Sequence, residues 1–256
     1  MWVGVAMVRV RRMTSIIELE IRRLLYASVM IMAVPFRLML SIGLAVALVS
    51  CGGRDEAPVP APKAAEAPVP AVDSRPVIAC FGDSLSAGFG LEAGKSYPDV
   101  LQKLLDDAGY KYRVINLGVS GDTTTDGVER LGSVLAVKPE VVVLEFGGND
   151  GLRGLPVSAS EKNLGIMTEA LQKSGAKVVL AGMSLPLNYG PDYIRSFEKI
   201  FVDVGKRYKL VRIPFLLEGV GGHVDLVQQD GIHPTAQGTQ IVAQTVTKYI
   251  QPLLRK

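Results

Sequence analysis

Short apolar runs alternate with longer amphipathic stretches from residue 77 to the end of the chain. The runs at 77–81 and 141–146 are typical of strands buried on both faces of a sheet. The longer stretches place apolar residues three or four positions apart, as helices do. The predicted strands are 77–81, 112–117, 141–146, 177–181 and 210–213. The predicted helices are 97–108, 124–137, 160–173, 192–207 and 235–250. This order predicts an α/β fold with a parallel sheet and helices on both faces.

Polar side chains follow the predicted strands, where ligands bind in sheets of this kind. Ser84 comes after the first strand on a turn that begins with Gly82. Taken alone, a serine there is more typical of a turn or a helix cap than of a nucleophile. A catalytic role therefore requires a base and an orienting group elsewhere in the chain.

The loop before the last predicted helix carries the best candidates for those groups. Asp230 precedes His233 by three residues, with Gly231 between them, so the carboxylate is able to orient the imidazole and stabilise its charged form. The other histidine, His223, lies in a glycine-rich stretch and is interpreted as a solvated loop residue. Two histidines among scattered carboxylates do not make a zinc site, and we expect no metal and no cofactor.

Candidate hydrogen-bond donors follow the second and third strands. Gly121 lies in a glycine-containing loop before a helix, where a backbone N–H is free to face a ligand. Asn149 offers a side-chain amide at the same edge of the sheet, although Asn-Asp also favours turns. A nucleophile, a base, an orienting carboxylate and oxyanion donors together indicate acyl transfer on serine.

Five blocks of this sequence, in this order, resemble the SGNH or GDSL hydrolase family. They are FGDSLSAG at 81–88, SGDTT at 120–124, GGND at 147–150, LPLNYG at 185–190 and DGIHP at 230–234. The similarity spans residues 77–256 and is greatest to the bacterial periplasmic esterases, arylesterases, acyl-CoA thioesterases I and lysophospholipases. It implies a flavodoxin-like three-layer α/β/α sandwich around a five-stranded parallel sheet.

The resemblance also implies roles for individual residues. Ser84 would be the nucleophile, His233 the general base and then acid, and Asp230 the residue that holds His233. The backbone N–H groups of Ser84 and Gly121 and the side-chain amide of Asn149 would form the oxyanion hole. The loops at 151–156 and 185–190 would border the substrate, with an apolar wall predicted from Leu152, Leu155, Pro156, Leu187 and Tyr189; the alternative is that these are ordinary surface residues. The expected substrate is a small acyl ester or thioester.

The first 76 residues are predicted to target and tether the domain. Residues 38–49 form an apolar run that Arg37 precedes and Cys51 follows, which is typical of a bacterial lipoprotein signal with a lipid-modified cysteine. The leader is long, and Met32 is an alternative start. A membrane-spanning anchor over 24–49 is disfavoured because Pro35 and Arg37 interrupt it. Residues 51–76 are rich in Pro and Ala and predict an extended linker.

We therefore divide the chain into a leader (1–50), a lipidated cysteine with its linker (51–76) and a hydrolase domain (77–256). The expected location is the periplasmic side of the bacterial envelope, with membrane contact through the lipid and the outer membrane favoured over the inner one.

Charge and composition exclude several other classes. With 48% hydrophobic and 21% charged residues, the chain is not an intrinsically disordered protein. Nine Lys/Arg and six Asp/Glu fall in residues 1–76, whereas residues 77–256 carry 19 of each. The domain is thus neutral, which gives no electrostatic reason to expect nucleic acid as a partner.

Three other functions are alternatives to ester hydrolysis. Nucleotide binding fails on spacing, because Phe89 stands where a phosphate loop ending at Gly94 needs its first glycine. A non-catalytic envelope protein is disfavoured by the intact Ser84, Asp230 and His233. Acyl transfer to a glycan or another alcohol uses the same acyl-enzyme and stays open on the sequence.

Overall fold

The computed structural model of the protein describes residues 73–256. The predicted leader, Cys51 and the linker up to residue 72 lie outside the described residues. Within residues 73–256, no helix is long and apolar enough to cross a membrane.

Five strands form one parallel sheet in the order β2-β1-β3-β4-β5. They are β1 (Val77–Gly82), β2 (Arg113–Gly118), β3 (Val141–Glu145), β4 (Lys177–Ala181) and β5 (Val211–Ile213). The sequence prediction of an α/β fold with a five-stranded parallel sheet is confirmed. The chain reverses its direction across the sheet between β1 and β3, and the carboxyl ends of such a strand pair are the usual ligand site.

Eight α-helices connect or flank these strands within the described residues. They are α1 (Ser84–Ala87), α2 (Tyr97–Asp107), α3 (Thr124–Glu129), α4 (Leu131–Ala136), α5 (Gly148–Leu152), α6 (Val157–Lys173), α7 (Pro191–Arg207) and α8 (Ala236–Ile250). Short 3₁₀ turns cover Leu187–Tyr189 and Gln251–Leu253. Helix α2 packs on α8, whereas α6 packs on α3 and α7, so the helices form two layers around the sheet.

The helix predicted over 124–137 is wrong in its continuity, because it breaks at Arg130 into α3 and α4. The guanidinium of Arg130 turns inward, where it donates to the carbonyl oxygens of Leu117 (2.7 Å) and Gly82 (2.6 Å) and pairs with Asp122. It also lies over the ring of Phe81, 4.5 Å from the ring centroid. These tertiary contacts outweigh the helical pattern of the segment.

The core lies around the two central strands, in which every residue of β1 and β3 is buried. The rings of Phe81 and Phe146 meet edge to face with centroids 4.9 Å apart. Cys80 is fully buried on β1, and burial raises the pKa of its thiol to about 12. This packing fixes the strand ends from which the functional loops leave.

Candidate active site

Ser84 begins the four-residue helix α1 directly after β1. The side chain of Asp83 caps this helix by accepting a hydrogen bond from the backbone N–H of Leu85 (3.0 Å). At the other end, Gly88 adopts a left-handed conformation (φ 79°) and donates its N–H to the carbonyl oxygen of Ser84 (3.1 Å). Both ends of the turn are thus fixed, and Ser84 is held in position at the edge of the sheet.

His233 and Asp230 complete a hydrogen-bonded chain with Ser84. The Nε2 atom of His233 lies 2.8 Å from Ser84 Oγ, and its Nδ1 atom lies 2.7 Å from Asp230 Oδ2. The second oxygen of Asp230 accepts the backbone N–H groups of Ile232 (2.9 Å) and His233 (3.0 Å). One carboxylate therefore holds both the imidazole ring and the loop that carries it.

The Asp230 carboxyl is held in its ionised form. Burial opposes its charge, but the hydrogen bonds from the backbone N–H groups of His233 and Ile232 and from the His233 ring outweigh this effect, so the pKa of Asp230 lies below its usual range. An ionised orienting carboxylate keeps the proton of the imidazole on Nδ1, which leaves Nε2 free to accept the Ser84 proton.

The loop of His233 is fastened to the rest of the domain at several points. The backbone N–H of Gln228 donates to the carbonyl oxygen of His233 (2.7 Å), and the Gln228 side chain reaches the carbonyl oxygen of Phe89 (2.7 Å). The ring of Phe89 lies against the imidazole, with the two centroids 4.6 Å apart. The sequence reasoning missed both Phe89 and Gln228, since neither belongs to a polar cluster near the strand ends.

Ser84, Gly121 and Asn149, which carry the three predicted oxyanion donors, line one cavity of about 250 Å³ together with His233. Gly121 has a φ of 90°, which favours glycine and turns its backbone into the loop. Within residues 73–256, neither the N–H of Gly121 nor that of Ser84 donates a hydrogen bond. Both groups are therefore available to a ligand oxygen in the cavity.

Asn149 lies in the first turn of α5, although the sequence indicated only a turn there. Its Nδ2 atom donates to the carbonyl oxygen of Asp122 (2.9 Å) and to Asp83 Oδ2 (3.3 Å). These two acceptors belong to the loops after β2 and β1, so the amide links three strand ends. The longer bond to Asp83 is the less favourable of the two.

Two buried carboxyl groups near this site were not found from the sequence. Glu145, the last residue of β3, is fully buried and accepts from the backbone N–H of Asp83 (3.0 Å). Asp150 on α5 accepts from the backbone N–H (2.8 Å) and hydroxyl of Thr124 and from the hydroxyl of Ser160 (2.9 Å). The sequence signal for Glu145 was a charged residue directly at the end of a strongly apolar strand.

A larger cavity of about 720 Å³ adjoins the catalytic one. The two share the wall residues Leu85, Gly148, Leu152 and Ile232. The larger cavity is further lined by apolar side chains from the loops after β4 and β5, which include Met183, Leu185, Phe215 and Leu217. Its polar lining includes Ser184, Glu198 and Arg212.

The predicted substrate-wall residues do not all lie in the same place. Leu152 and Leu187 line the larger cavity, and Leu152 also lines the catalytic one. Tyr189 donates its hydroxyl to the carbonyl oxygen of Leu152 (2.8 Å), which ties the two predicted loops together. Leu155 and Pro156 are exposed and line neither cavity.

His223 is exposed in the loop between β5 and α8. Among the described residues, no three His, Cys, Asp or Glu side chains are grouped in a way that would hold a metal ion.

A sequence model of the GDSL-like lipase/acylhydrolase family matches residues 80–241, which is more than half of the chain and includes every residue of the Ser84–His233–Asp230 chain. The chain belongs to this family. The resemblance drawn from the five sequence blocks is thereby confirmed.

Named relatives and solved structures agree with this membership of the GDSL-like family. Esterase TesA of Pseudomonas aeruginosa is 45% identical over 174 residues, which covers 68% of this chain and 87% of that protein. Thioesterase 1/protease 1/lysophospholipase L1 of Escherichia coli is 35% identical over 175 residues, with 68% and 83% covered. The crystal structure of TesA matches with a TM-score of 0.68 at 44% identity over 70% of this chain and 99% of that chain. AlinE4, an SGNH-hydrolase family esterase, matches with a TM-score of 0.59 at 40% identity over 71% and 98%.

The names of these relatives are names of hydrolases. They support a serine esterase and do not favour the alternative of acyl transfer to a glycan or another alcohol.

Proposed function

We propose that this protein hydrolyses small carboxylic esters through an acyl-enzyme formed on Ser84. The observation that carries the proposal is the hydrogen-bonded chain from Asp230 through His233 to the Ser84 hydroxyl, with heavy-atom distances of 2.7 and 2.8 Å. A serine, a base within hydrogen-bond reach and a third group that orients the base are the minimum for nucleophilic catalysis on a hydroxyl.

The reaction proceeds in two acyl-transfer steps. His233 takes the proton from Ser84 Oγ as this oxygen attacks the substrate carbonyl carbon. When the tetrahedral intermediate collapses, the bond to the leaving group breaks and His233 gives the proton to the leaving oxygen or sulfur. Water then attacks the acyl-enzyme in the same way, and Ser84 regains its proton through His233.

Three hydrogen-bond donors on residues that line the catalytic cavity stabilise the negative charge of the tetrahedral intermediate. The backbone N–H groups of Ser84 and Gly121 donate without first breaking a protein hydrogen bond. Asn149 donates through Nδ2, which has to release or share its bond to the carbonyl oxygen of Asp122 (2.9 Å). The two backbone N–H groups are preorganised donors, and such donors contribute most where water is excluded.

The adjoining cavity supports an acyl chain as the part of the substrate that binds beside Ser84. Its volume of about 720 Å³ is in the range of small-molecule sites, and Leu152 and Ile232 connect it to the catalytic cavity. An apolar wall favours a hydrocarbon chain over polar groups, because binding there removes the apolar surface of the chain from water. We extend the substrate class to acyl thioesters and lysophospholipids, since each presents a similar carbonyl.

We further propose that the protein acts on the periplasmic side of the bacterial envelope and is held there by a lipid on Cys51. The apolar run at 38–49 followed by Cys51 supports this, as does the linker up to residue 76. Labelled palmitate should enter the wild-type protein in cells and should not enter the Cys51→Ser variant. Equal labelling of both proteins would remove the lipid anchor from the proposal.

Release of p-nitrophenol from acetate, butyrate and octanoate esters tests the enzymatic proposal. We expect turnover by the wild-type protein and almost none by Ser84→Ala. Ser196→Ala is the matched control, because Ser196 is an exposed serine on α7 outside both cavities. Undiminished turnover in Ser84→Ala would contradict the proposed nucleophile.

A further inference from the structure

Two carboxyl side chains are buried together beneath the nucleophile turn. Glu145 is fully buried at the end of β3, and Asp83, which is 2% exposed, directly follows β1. The strands bring them together, because Gly82 and Glu145 are register partners. Gly82 makes room for the Glu145 carboxyl, since a Cβ atom at position 82 would lie 2.2 Å from Glu145 Oε2.

Within residues 73–256, no Lys, Arg or His forms a salt bridge with Asp83 or Glu145. Glu145 Oε2 accepts three hydrogen bonds, from the backbone N–H of Asp83 and from the N–H and hydroxyl of Ser86, whereas Oε1 is buried with no donor facing it. A pair of buried, adjacent and uncompensated negative charges is strongly unfavourable, so one carboxyl has to keep a proton.

A proton on Glu145 would allow the buried Oε1 atom, which has no hydrogen-bond partner, to act as a donor. Two ionised carboxyls have only acceptors, whereas a protonated Glu145 is able to donate to the carboxyl of Asp83, whose backbone N–H already binds Glu145 Oε2. Burial raises the pKa of Glu145 well above its usual range, and the charge of Asp83 raises it further. Burial also raises the pKa of Asp83, but the bonds from Leu85 N–H and Glu145 and the nearby His233 oppose that rise. The other titratable groups here, Tyr97 and Cys80, are buried and neutral.

The carboxylate of Asp83 in turn faces the oxyanion hole. Its Oδ2 atom accepts from Asn149 Nδ2 (3.3 Å), and its Oδ1 atom accepts from Leu85 N–H (3.0 Å). Asp83 is thus one of the two acceptors that orient the Asn149 amide, beside the carbonyl oxygen of Asp122, and Asp83 is itself bound to Glu145. Glu145 itself lines neither cavity. Its contacts reach the site by two routes, through Asp83 and through Ser86 on the helix of Ser84, and only the first leads to Asn149.

We propose that Glu145, as a neutral acid, is a positioning residue for the oxyanion hole: it donates to Asp83, and Asp83 orients the side-chain amide of Asn149. The inference rests on the proposed function and assigns a role to a group that makes no contact with the substrate. Glutamine is the isostere of a neutral glutamic acid and keeps both a donor and an acceptor at this site, whereas leucine keeps neither.

A double-mutant cycle on p-nitrophenyl butyrate tests the proposal. We expect Glu145→Gln to retain kcat within about twofold, and Glu145→Leu to lower kcat about tenfold with little change in KM. In the Asn149→Ala background, Glu145→Leu should change kcat less than twofold, because the amide that it positions is gone. Thr168→Val is the control for lost buried polarity: the Thr168 hydroxyl is buried without a partner on α6, away from both cavities, and its removal should leave kcat unchanged.

Three results would overturn the proposal. They are an equal fold-loss from Glu145→Leu with and without Asn149, an equal loss in Glu145→Gln and Glu145→Leu, and a loss that appears in KM or thermal stability alone. If Glu145→Leu does not fold by circular dichroism, Asp83→Asn takes its place in the cycle, with the same non-additivity expected and additivity as the contrary result. Absence of Ser84-dependent turnover in the wild type would remove the proposed function itself, whereas additive losses with Ser84-dependent turnover intact would remove only the role of Glu145.

Discussion

His233 Nε2 lies 2.8 Å from Ser84 Oγ, although the two residues are 149 positions apart in the chain. One belongs to the turn after the first strand and the other to the loop before the last helix. The contact exists because β1 is an interior strand, between β2 and β3, and the final loop returns to its carboxyl end. The sheet topology therefore brings the two side chains within the distance that proton transfer requires.

Asn149→Ala tests the contribution of the side-chain donor. Loss of one oxyanion donor typically lowers turnover roughly 100- to 1,000-fold, so we expect weak but measurable hydrolysis. The measurement is kcat on p-nitrophenyl butyrate beside Gln244→Ala, which removes an exposed amide from α8. Equal rates in wild type and Asn149→Ala would remove Asn149 from the site.

Val202→Trp tests whether the larger cavity binds the acyl chain. Val202 lines that cavity from α7, and a bulkier side chain there would occupy space beside Phe215. We expect the ratio of kcat/KM for octanoate over acetate to fall about tenfold, since lost apolar contact weakens long chains more than short ones. Ile166→Trp, on the partly exposed face of α6, should leave the ratio unchanged. A constant ratio in Val202→Trp would mean that the chain lies elsewhere.

Arg130→Lys tests the cation that holds the ends of β1 and β2. A lysine keeps the charge but cannot serve the carbonyl oxygens of Gly82 and Leu117 and the Asp122 carboxylate together. We expect the free energy of unfolding to fall by about 2 kcal/mol, measured in urea. Arg207→Lys, at an exposed ion pair with Glu161, should change it little. Similar small losses in both variants would contradict the anchoring role.

The buried carboxyl pair makes stability depend on pH. Because the folded-state pKa values of Glu145 and Asp83 are raised, the folded protein binds more protons than the unfolded chain above the unfolded pKa near 4, and stability falls as the pH rises through that window. Glu145→Gln removes the titratable group at position 145. The melting temperature of this variant should therefore rise relative to that of the wild type as the pH increases from 5 to 8. The slope is at most about 1.4 kcal/mol per pH unit. If the difference in melting temperature between Glu145→Gln and wild type stays constant from pH 5 to pH 8, Glu145 carries no proton in the folded protein.

Much of the fold could be predicted because β1, β3 and almost all of β4 are buried on both faces. The apolar runs at 77–81 and 177–181 were placed within one residue of β1 and β4. Helices α1 and α5 were missed, since four or five residues are too few to show a helical period. The break at Arg130 was missed because its cause, the carbonyl oxygens at the ends of β1 and β2, lies far away in the sequence.

The chemistry could be predicted where it is local, as in the Asp230–His233 loop, or where a sequence block marks it, as at Ser84. The part played by Glu145 was hidden, because a single charged residue at the end of an apolar strand does not show which group it contacts. Its partner Asp83 becomes visible only when β1 and β3 are paired. Buried polar groups on neighbouring strands are tertiary features, and periodicity along the chain does not report them.

Covalent labelling tests the central claim most directly. A p-nitrophenyl alkylphosphonate should react once with the purified protein, release one equivalent of p-nitrophenol and leave a phosphonyl group that peptide mass spectrometry places on Ser84. The reaction should slow markedly in His233→Ala, because the hydroxyl loses its base. An adduct on any other residue, or labelling of Ser84→Ala at the wild-type rate, would contradict the account.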